Sequence, residues 1–200
     1  EYYTSTALPQ TTYQFGKLVQ RLDYHPDGTL KSITDGRNNT TTLNNWKRGI
    51  PQSILRPLGA NLSAVVNDRG EIDAVTDPNG FVTGYEYDPG GRVRTITPPT
   101  GDTVAWSPTT ISTVPVASAE MGLAAGHWRR TESRGAYRKV TYLDAFWRPV
   151  VEHEFDANDV AASQRFSGWR YDHAGRVVFA GYPRSMASGV ADFGSAGTTT

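Results

Sequence analysis

The sequence predicts an all-β array of short antiparallel strands and hairpins, part of a spiralling sheet, and three observations predict it. Gly28, Gly49, Gly70 and Gly91 lie 21 residues apart. A fixed period of about 20–50 residues marks an array whose units bury their apolar faces by stacking on one another. Similar text surrounds each glycine: Tyr24-His-Pro-Asp-Gly28-Thr-Leu30, Trp46-Lys-Arg-Gly49-Ile50, Val66-Asn-Asp-Arg-Gly70-Glu-Ile72 and Tyr87-Asp-Pro-Gly-Gly91-Arg-Val93. The composition is that of strands and turns, with 20 Gly, 12 Pro and 11% aromatics. Thr, Tyr, Trp, Phe and Val suit a pleated surface, while Gly, Pro, Asn and Asp punctuate it.

Each unit divides into strand, tight turn and strand. Before the turn the side chains alternate: Tyr85 and Tyr87 share one face with Glu86 on the other, and Leu22 and Tyr24 flank Asp23. A period of two is the pattern of a half-buried strand. The turn follows at His25-Pro-Asp-Gly28, Asn67-Asp-Arg-Gly70, Asp88-Pro-Gly-Gly91 and Asp172-His-Ala-Gly175. Pro presets φ early in such a turn, and Gly accepts a positive φ late in it.

After the turn, apolar residues fall two and five positions beyond the glycine, as in Leu30 and Ile33, Ile72 and Val75, and Val93 and Ile96. A separation of three puts them on opposite faces of an ideal strand. Either a bulge re-aims one of them or both faces are covered. Second turns follow at Asp35-Gly-Arg-Asn-Asn39 and Asp77-Pro-Asn-Gly80.

The period breaks near Pro98. The chain is therefore divided into repeats over 1–98, an irregular insertion or pair of diverged units over 99–139, and repeats over 140–200 that end in a Gly/Ser/Thr-rich stretch. Within the insertion, Val116 to Ala125 is expected to form one short helix, weakened by Gly122. Strand character returns at Tyr137. The next unit reads Tyr142-Leu-Asp-Ala-Phe-Trp147-Arg148-Pro149, with Trp where Gly is expected, and the last reads Tyr171-Asp172-His-Ala-Gly175-Arg176-Val177. With no Met start and no polar capping unit, the chain reads as a piece of a longer array.

Charge and composition exclude several classes. Twenty basic and twenty acidic residues cancel and are interspersed, which argues against a nucleic-acid partner held by bulk electrostatics. No run approaches the roughly 18 apolar residues of a spanning helix. Cysteine is absent, so there is no disulfide, thiolate metal site or thiol nucleophile.

These motifs resemble those of the RHS/YD-repeat family: Tyr-Asp, two variable residues, then Gly-Arg and an apolar residue. Tyr87-Asp88-Pro-Gly-Gly91-Arg92-Val93 and Tyr171-Asp172-His-Ala-Gly175-Arg176-Val177 match it in full, and Tyr142 to Pro149 matches with Trp147 for Gly. The resemblance implies a β-sheet spiralling into a hollow shell. Such shells enclose a C-terminal toxin in bacterial polymorphic toxins and insecticidal toxin complexes, and serve adhesion in teneurins. It implies a secreted or cell-surface location, with neighbouring repeats and an enclosed C-terminal domain as partners. Self-cleavage and toxicity are carried over to no residue here.

Each motif also admits a sharper reading. The Tyr-Asp pair suits sugar stacking, but a residue repeated at every turn is better explained by what the turn needs: Tyr packs across strands and Asp bonds the turn backbone. His25, His127, His153 and His173 show no zinc spacing. The acidic turns follow no calcium-loop pattern. Glu152-His153-Glu154 reads as a solvated edge, and Ser188–Asp192 and Ser195–Gly197 as linkers. No Gly-x-Ser-x-Gly elbow occurs. Arg92, Arg148 and Arg176, each directly after the glycine position, are placed to pair with the Asp of their own or the adjacent unit.

The expected function is that of a non-enzymatic structural segment, with no catalytic, cofactor or metal residues. Its anchors are Tyr24, Trp46, Tyr87, Tyr142 and Tyr171 for packing, with Gly28, Gly49, Gly70, Gly91 and Gly175 for the turns. Asp88, Asp172, Arg92, Arg148 and Arg176 complete the motif. The alternative is a module that binds carbohydrate or a surface receptor through exposed aromatics.

Overall fold

The computed structural model describes residues 1–185 and 197–199. It is all-β. Helix among the described residues is limited to one turn, α1 (Val160–Ser163), and a 3₁₀ turn at Pro57–Gly59. Two compact units divide the chain. The first holds Glu1–Arg92 with Thr97–Trp106, and the second holds Val93–Ile96 with the residues from Ser107 onward.

In the first unit, β1 (Thr11–Gln14), β2 (Lys17–Tyr24), β3 (Leu30–Asp35), β4 (Thr40–Lys47), β5 (Ile50–Leu55), β6 (Leu62–Val66), β7 (Ile72–Thr76) and β8 (Val82–Tyr87) follow in order. Each pairs antiparallel with its predecessor. The second unit repeats the scheme with β9 (Val93–Thr97), β10 (Thr109–Pro115), β11 (Trp128–Arg134), β12 (Tyr137–Leu143), β13 (Pro149–Asp156), β14 (Arg165–Tyr171), β15 (Val177–Arg184) and β16 (Gly197–Thr199). Sequence neighbours are therefore spatial neighbours throughout each unit, as an up-and-down meander with short turns requires.

A recurrent bulge follows the first hairpin turn. Tyr24 pairs with Leu30 while Asp23 pairs with Ser32, leaving Lys31 as the extra residue. Val66–Ile72, Leu143–Pro149 and Tyr171–Val177 repeat the pattern with Asp73, Val150 and Val178 unpaired. This resolves the odd spacing in the sequence: one extra residue flips the strand's parity. The apolar residues two and five places after the turn thus come to one face.

Burial is uneven. Of the eight apolar side chains buried among the described residues, only Val66 lies in the first unit. In the second, Val140, Tyr142, Val151, Phe166 and Phe179 cluster, and Met121 and Leu123 pack on them. The first unit thus depends more on its hydrogen-bond ladder and turns.

Two expectations are corrected. Val116 to Ala125 forms no helix: it runs as turns and an isolated bridge between Glu120 and Leu123, strapped across the second core by Met121 and Leu123. Glu152-His153-Glu154 is not an edge, because β13 pairs with β12 on one side and β14 on the other. Glu152 and Glu154 straddle Lys139 at 3.0 and 3.5 Å, and His153 faces the core. Of the expected linkers, Ser188–Asp192 and Ser195 lie outside the described residues, whereas Gly197 opens β16. The segment 99–139 contains β10, β11 and the start of β12.

Candidate functional site

The sequence motif folds into a five-residue turn whose aspartate organises every polar contact. Asp88 N–H donates to the Arg92 carbonyl at 2.8 Å, and Gly91 N–H donates back to the Asp88 carbonyl at 2.9 Å. Asp88 Oδ1 accepts from Gly90 N–H and Arg92 N–H at 2.9 and 3.0 Å. Its Oδ2 accepts from Arg92 Nε at 2.8 Å. Asp144 with Phe146 and Arg148 reproduces these contacts at 2.9, 3.0 and 2.7 Å. Asp172 with Ala174 and Arg176 does so at 2.9, 2.9 and 2.8 Å. The Asp–Arg pair is therefore internal to each turn.

One turn inverts the polarity. Asn67 Oδ1 accepts from Arg69 N–H and Glu71 N–H, and its Nδ2 donates to Glu71 Oε2 at 2.9 Å. Where Asp accepts from Arg, Asn donates to Glu, so donor and acceptor have exchanged sides. At the first turn His25 takes the aspartate position, with its Nε2 3.0 Å from the Leu43 carbonyl, and Asp27 accepts from Thr29 N–H instead.

The late turn position has positive φ in every case: +83° at Gly28, +85° at Gly70, +77° at Gly91, +81° at Gly175 and +61° at Trp147. Trp147 tolerates this strained geometry while stacking on Trp128, with ring centroids 4.7 Å apart. Gly49 belongs to another turn type. With Arg48 (φ +52°) it forms the two-residue link between Lys47 and Ile50, the geometry of a primed hairpin turn.

Adjacent turns touch. Lys47 pairs with Asp68 at 2.9 Å, and the Arg148 guanidinium lies 4.5 Å from the centroid of the Tyr171 ring in the next repeat. The anchor aromatics reach further back. Tyr87 O–H donates to the Ile72 carbonyl at 2.8 Å, Tyr171 O–H to the Pro149 carbonyl at 2.8 Å, and Trp46 Nε1–H to the Leu30 carbonyl at 2.9 Å. Each acceptor is the first residue after the preceding turn, on the bulged stretch. In these three repeats one side chain thereby fastens the unit to the one before it.

Two anchors are placed differently. Tyr24 meets Tyr3 edge-on at 6.0 Å. Tyr142 is buried in the second core, because Leu143 intervenes before Asp144 and puts Tyr142 on the opposite face. Tyr87→Phe is expected to cost about 1 kcal/mol, the net worth of one hydrogen bond. Urea midpoints of the two proteins check this.

The second turns expected at Asp35-Gly-Arg-Asn-Asn39 and Asp77-Pro-Asn-Gly80 form, and they belong to a second register. Asn38, Gly59, Gly80 and Gly101 also stand 21 apart and all have positive φ, from +63° to +97°. They form the opposite row of hairpin ends. Asp35 and Asp77 organise two of these turns as Asp88 does its own, accepting from Arg37 and Asn39 N–H and from Asn79 and Phe81 N–H. The glycine spacing was visible, but Asn38 in the first unit of that row concealed its start.

These carboxylates act as acceptors within their own turns. The Arg92 and Arg176 N–H groups, followed by their guanidinium bonds, hold Asp88 and Asp172 below the ordinary carboxylate range. Burial pushes Asp144 up, yet its bonds to Arg148 and the turn amides leave it low as well. A carboxyl held ionised is a poor general acid. A depressed folded-state pKa adds stability at neutral pH that is lost as pH falls through the carboxylate range. Urea midpoints should therefore drop below about pH 4, and Asp88→Asn should flatten part of that drop.

In two clefts of the first unit the lining carboxylates are taken up in hydrogen bonds. A cleft of about 610 Å³ in the first unit has Asp23 as its one carboxylate. Both Asp23 oxygens are engaged, by Tyr3 and Ser32 hydroxyls at 2.8 and 3.1 Å. A smaller cavity of about 370 Å³ holds Asp77 and Asp102. There Asp102 accepts from Thr103 N–H and Trp106 Nε1–H, and Asp77 is a turn acceptor. Among the described residues, no group of three His, Asp or Glu side chains is placed to hold a metal ion, and no helix is long and apolar enough to cross a membrane.

Residues 67–103 match the family model described as RHS Repeat. Among solved structures, the chain is similar to the Photorhabdus luminescens Tc holotoxin pore, with a TM-score of 0.62 at 14% identity over 94% of this chain. The chain spans 10% of the length of that relative. No curated protein matches.

Proposed function

We propose that this chain, whose residues 67–103 match the RHS Repeat family model, forms wall: a structural segment of a larger β-shell that encloses a C-terminal toxin or effector domain. The observation that supports this best is the fastening of consecutive repeats. The turns close on themselves, and at Trp46, Tyr87 and Tyr171 one aromatic side chain ties the unit to the repeat before. A unit built this way extends by addition, as a wall must, without any long-range element. The similarity to a Tc holotoxin pore over nearly the whole chain accords with this.

The segment works by burial and exclusion, not by chemistry. Its partners are the flanking repeats and the enclosed domain, and its location is secreted or at the cell surface. The polar ends of Trp46, Tyr87 and Tyr171 are spent on backbone carbonyls, which disfavours these aromatics as a sugar-binding row.

The test is limited proteolysis of the parent protein that contains this segment. Its C-terminal domain should resist a protease that digests the same domain expressed alone. A variant that unfolds this wall segment should restore cleavage. Equal digestion rates for enclosed and isolated domain would sink the shell reading.

A further inference from the structure

His153 on β13 lies in the second unit's core with a buried ring nitrogen, Nε2, that has no hydrogen-bond partner among the described residues. Its ring stacks flat on Phe166, 4.0 Å between centroids and 8° between planes, with Phe155 4.5 Å away on the same strand. In register it stands between Val140 on β12 and Phe166 on β14. Such a site suits a neutral imidazole. It offers nothing to a second N–H and little to a charge.

We propose that His153 makes the second unit acid-sensitive: a proton taken up at this buried nitrogen places an unpaired charge among phenyl rings and loosens the β12–β13–β14 packing. The attraction of a cation for aromatic faces offsets part of that cost but leaves the new N–H without an acceptor. Charged neighbours do not compensate. Paired residues share a face, so β12 presents Arg138 and Tyr142 on this side, and β14 presents Arg170, whose guanidinium lies over Phe179. Arg184 on β15 pairs in register with Phe166. From the strap, Glu120 is already engaged by His127 and Arg129. The carboxylates beside His153 in sequence, Glu152 and Glu154, are held on the opposite face by Lys139.

The direction of titration agrees. Burial holds the His153 pKa below its ordinary value, with the Gln164 side chain opposing it. A depressed imidazole pKa means the unfolded chain binds the proton first. Stability therefore falls as pH drops below about 6.5, the unfolded value. That window is separate from the carboxylate losses below about pH 4, and the inference holds whether or not the chain walls a shell.

The experiment compares the chain with His153→Phe by urea unfolding at pH 6.5 and 5.5, and follows the His153 imidazole by NMR titration. The folding constant of the unaltered chain should fall by up to about fivefold more than that of the variant over this unit of pH. Amide exchange in β13 and β14 should quicken. Losses common to both proteins do not arise at His153. An equal pH dependence in the variant, or a His153 ring that titrates at or above about 6.5, overturns the proposal. Should His153→Phe fail to fold, the ring titration in the unaltered chain decides.

Discussion

Phe166→Ala is expected to destabilise the chain by about 3–5 kcal/mol, the cost of emptying an aromatic core position. Phe166 is 0% exposed and is the one large side chain fully buried among the described residues. It touches both sides of the second core: His153 stacks on one face, and Val140, Tyr142, Val151 and Phe179 complete the cluster. The loss is a large share of a total stability of about 5–15 kcal/mol. Urea unfolding should show a lower midpoint with an unchanged slope. Phe15→Ala is the matched control. At 96% exposure, Phe15 contributes no buried area, and its removal should stay within about 0.5 kcal/mol. Equal losses for the two variants would mean that packing at Phe166 does not hold the second unit.

How far the sequence could be read depends on how local each feature is. The turns around Gly28, Gly70, Gly91 and Gly175 were legible because a turn's residues are contiguous. Even Trp147 could be placed by its flanks, Asp144 and Arg148. Gly49 has the right spacing yet sits in a different turn, since spacing reports the period and not the dihedrals of Arg48 beside it. The bulges at Lys31, Asp73, Val150 and Val178 were visible only as an unexplained apolar separation of three, because a bulge is defined by the partner strand. His153 was misplaced for the same reason. Between two glutamates it looks solvated, and only the pairing of β13 on both sides turns it inward. The exchange of Asp and Arg for Asn67 and Glu71 hid one motif from any search for Tyr-Asp, although its hydrogen bonds are those of the rest. Contacts within one turn are written in order along the chain, whereas those between strands are not.

The turn itself makes the second large prediction. Gly91→Val should cost a few kcal/mol, about 1–3 from a non-glycine residue held at positive φ, with a β-branched side chain at the upper end. Space does not set this cost. A Cβ at Gly91 would lie 3.6 Å from the Glu71 carboxylate, an ordinary contact. The backbone sets it: φ is +77° there, and the Gly91 N–H must still reach the Asp88 carbonyl. Relaxing φ to a comfortable value breaks that bond and misaligns the Arg92 N–H that Asp88 Oδ1 accepts. Gly91→Asn separates the two explanations. Asn38 adopts +63° at the matching place in the opposite row of turns, and asparagine enters this region readily. Urea midpoints should therefore rank glycine above asparagine and asparagine well above valine. If asparagine and valine cost the same, the penalty comes from bulk against the neighbouring turn and not from the dihedral. The repeat would then be held by contact between turns more than by the geometry inside each one.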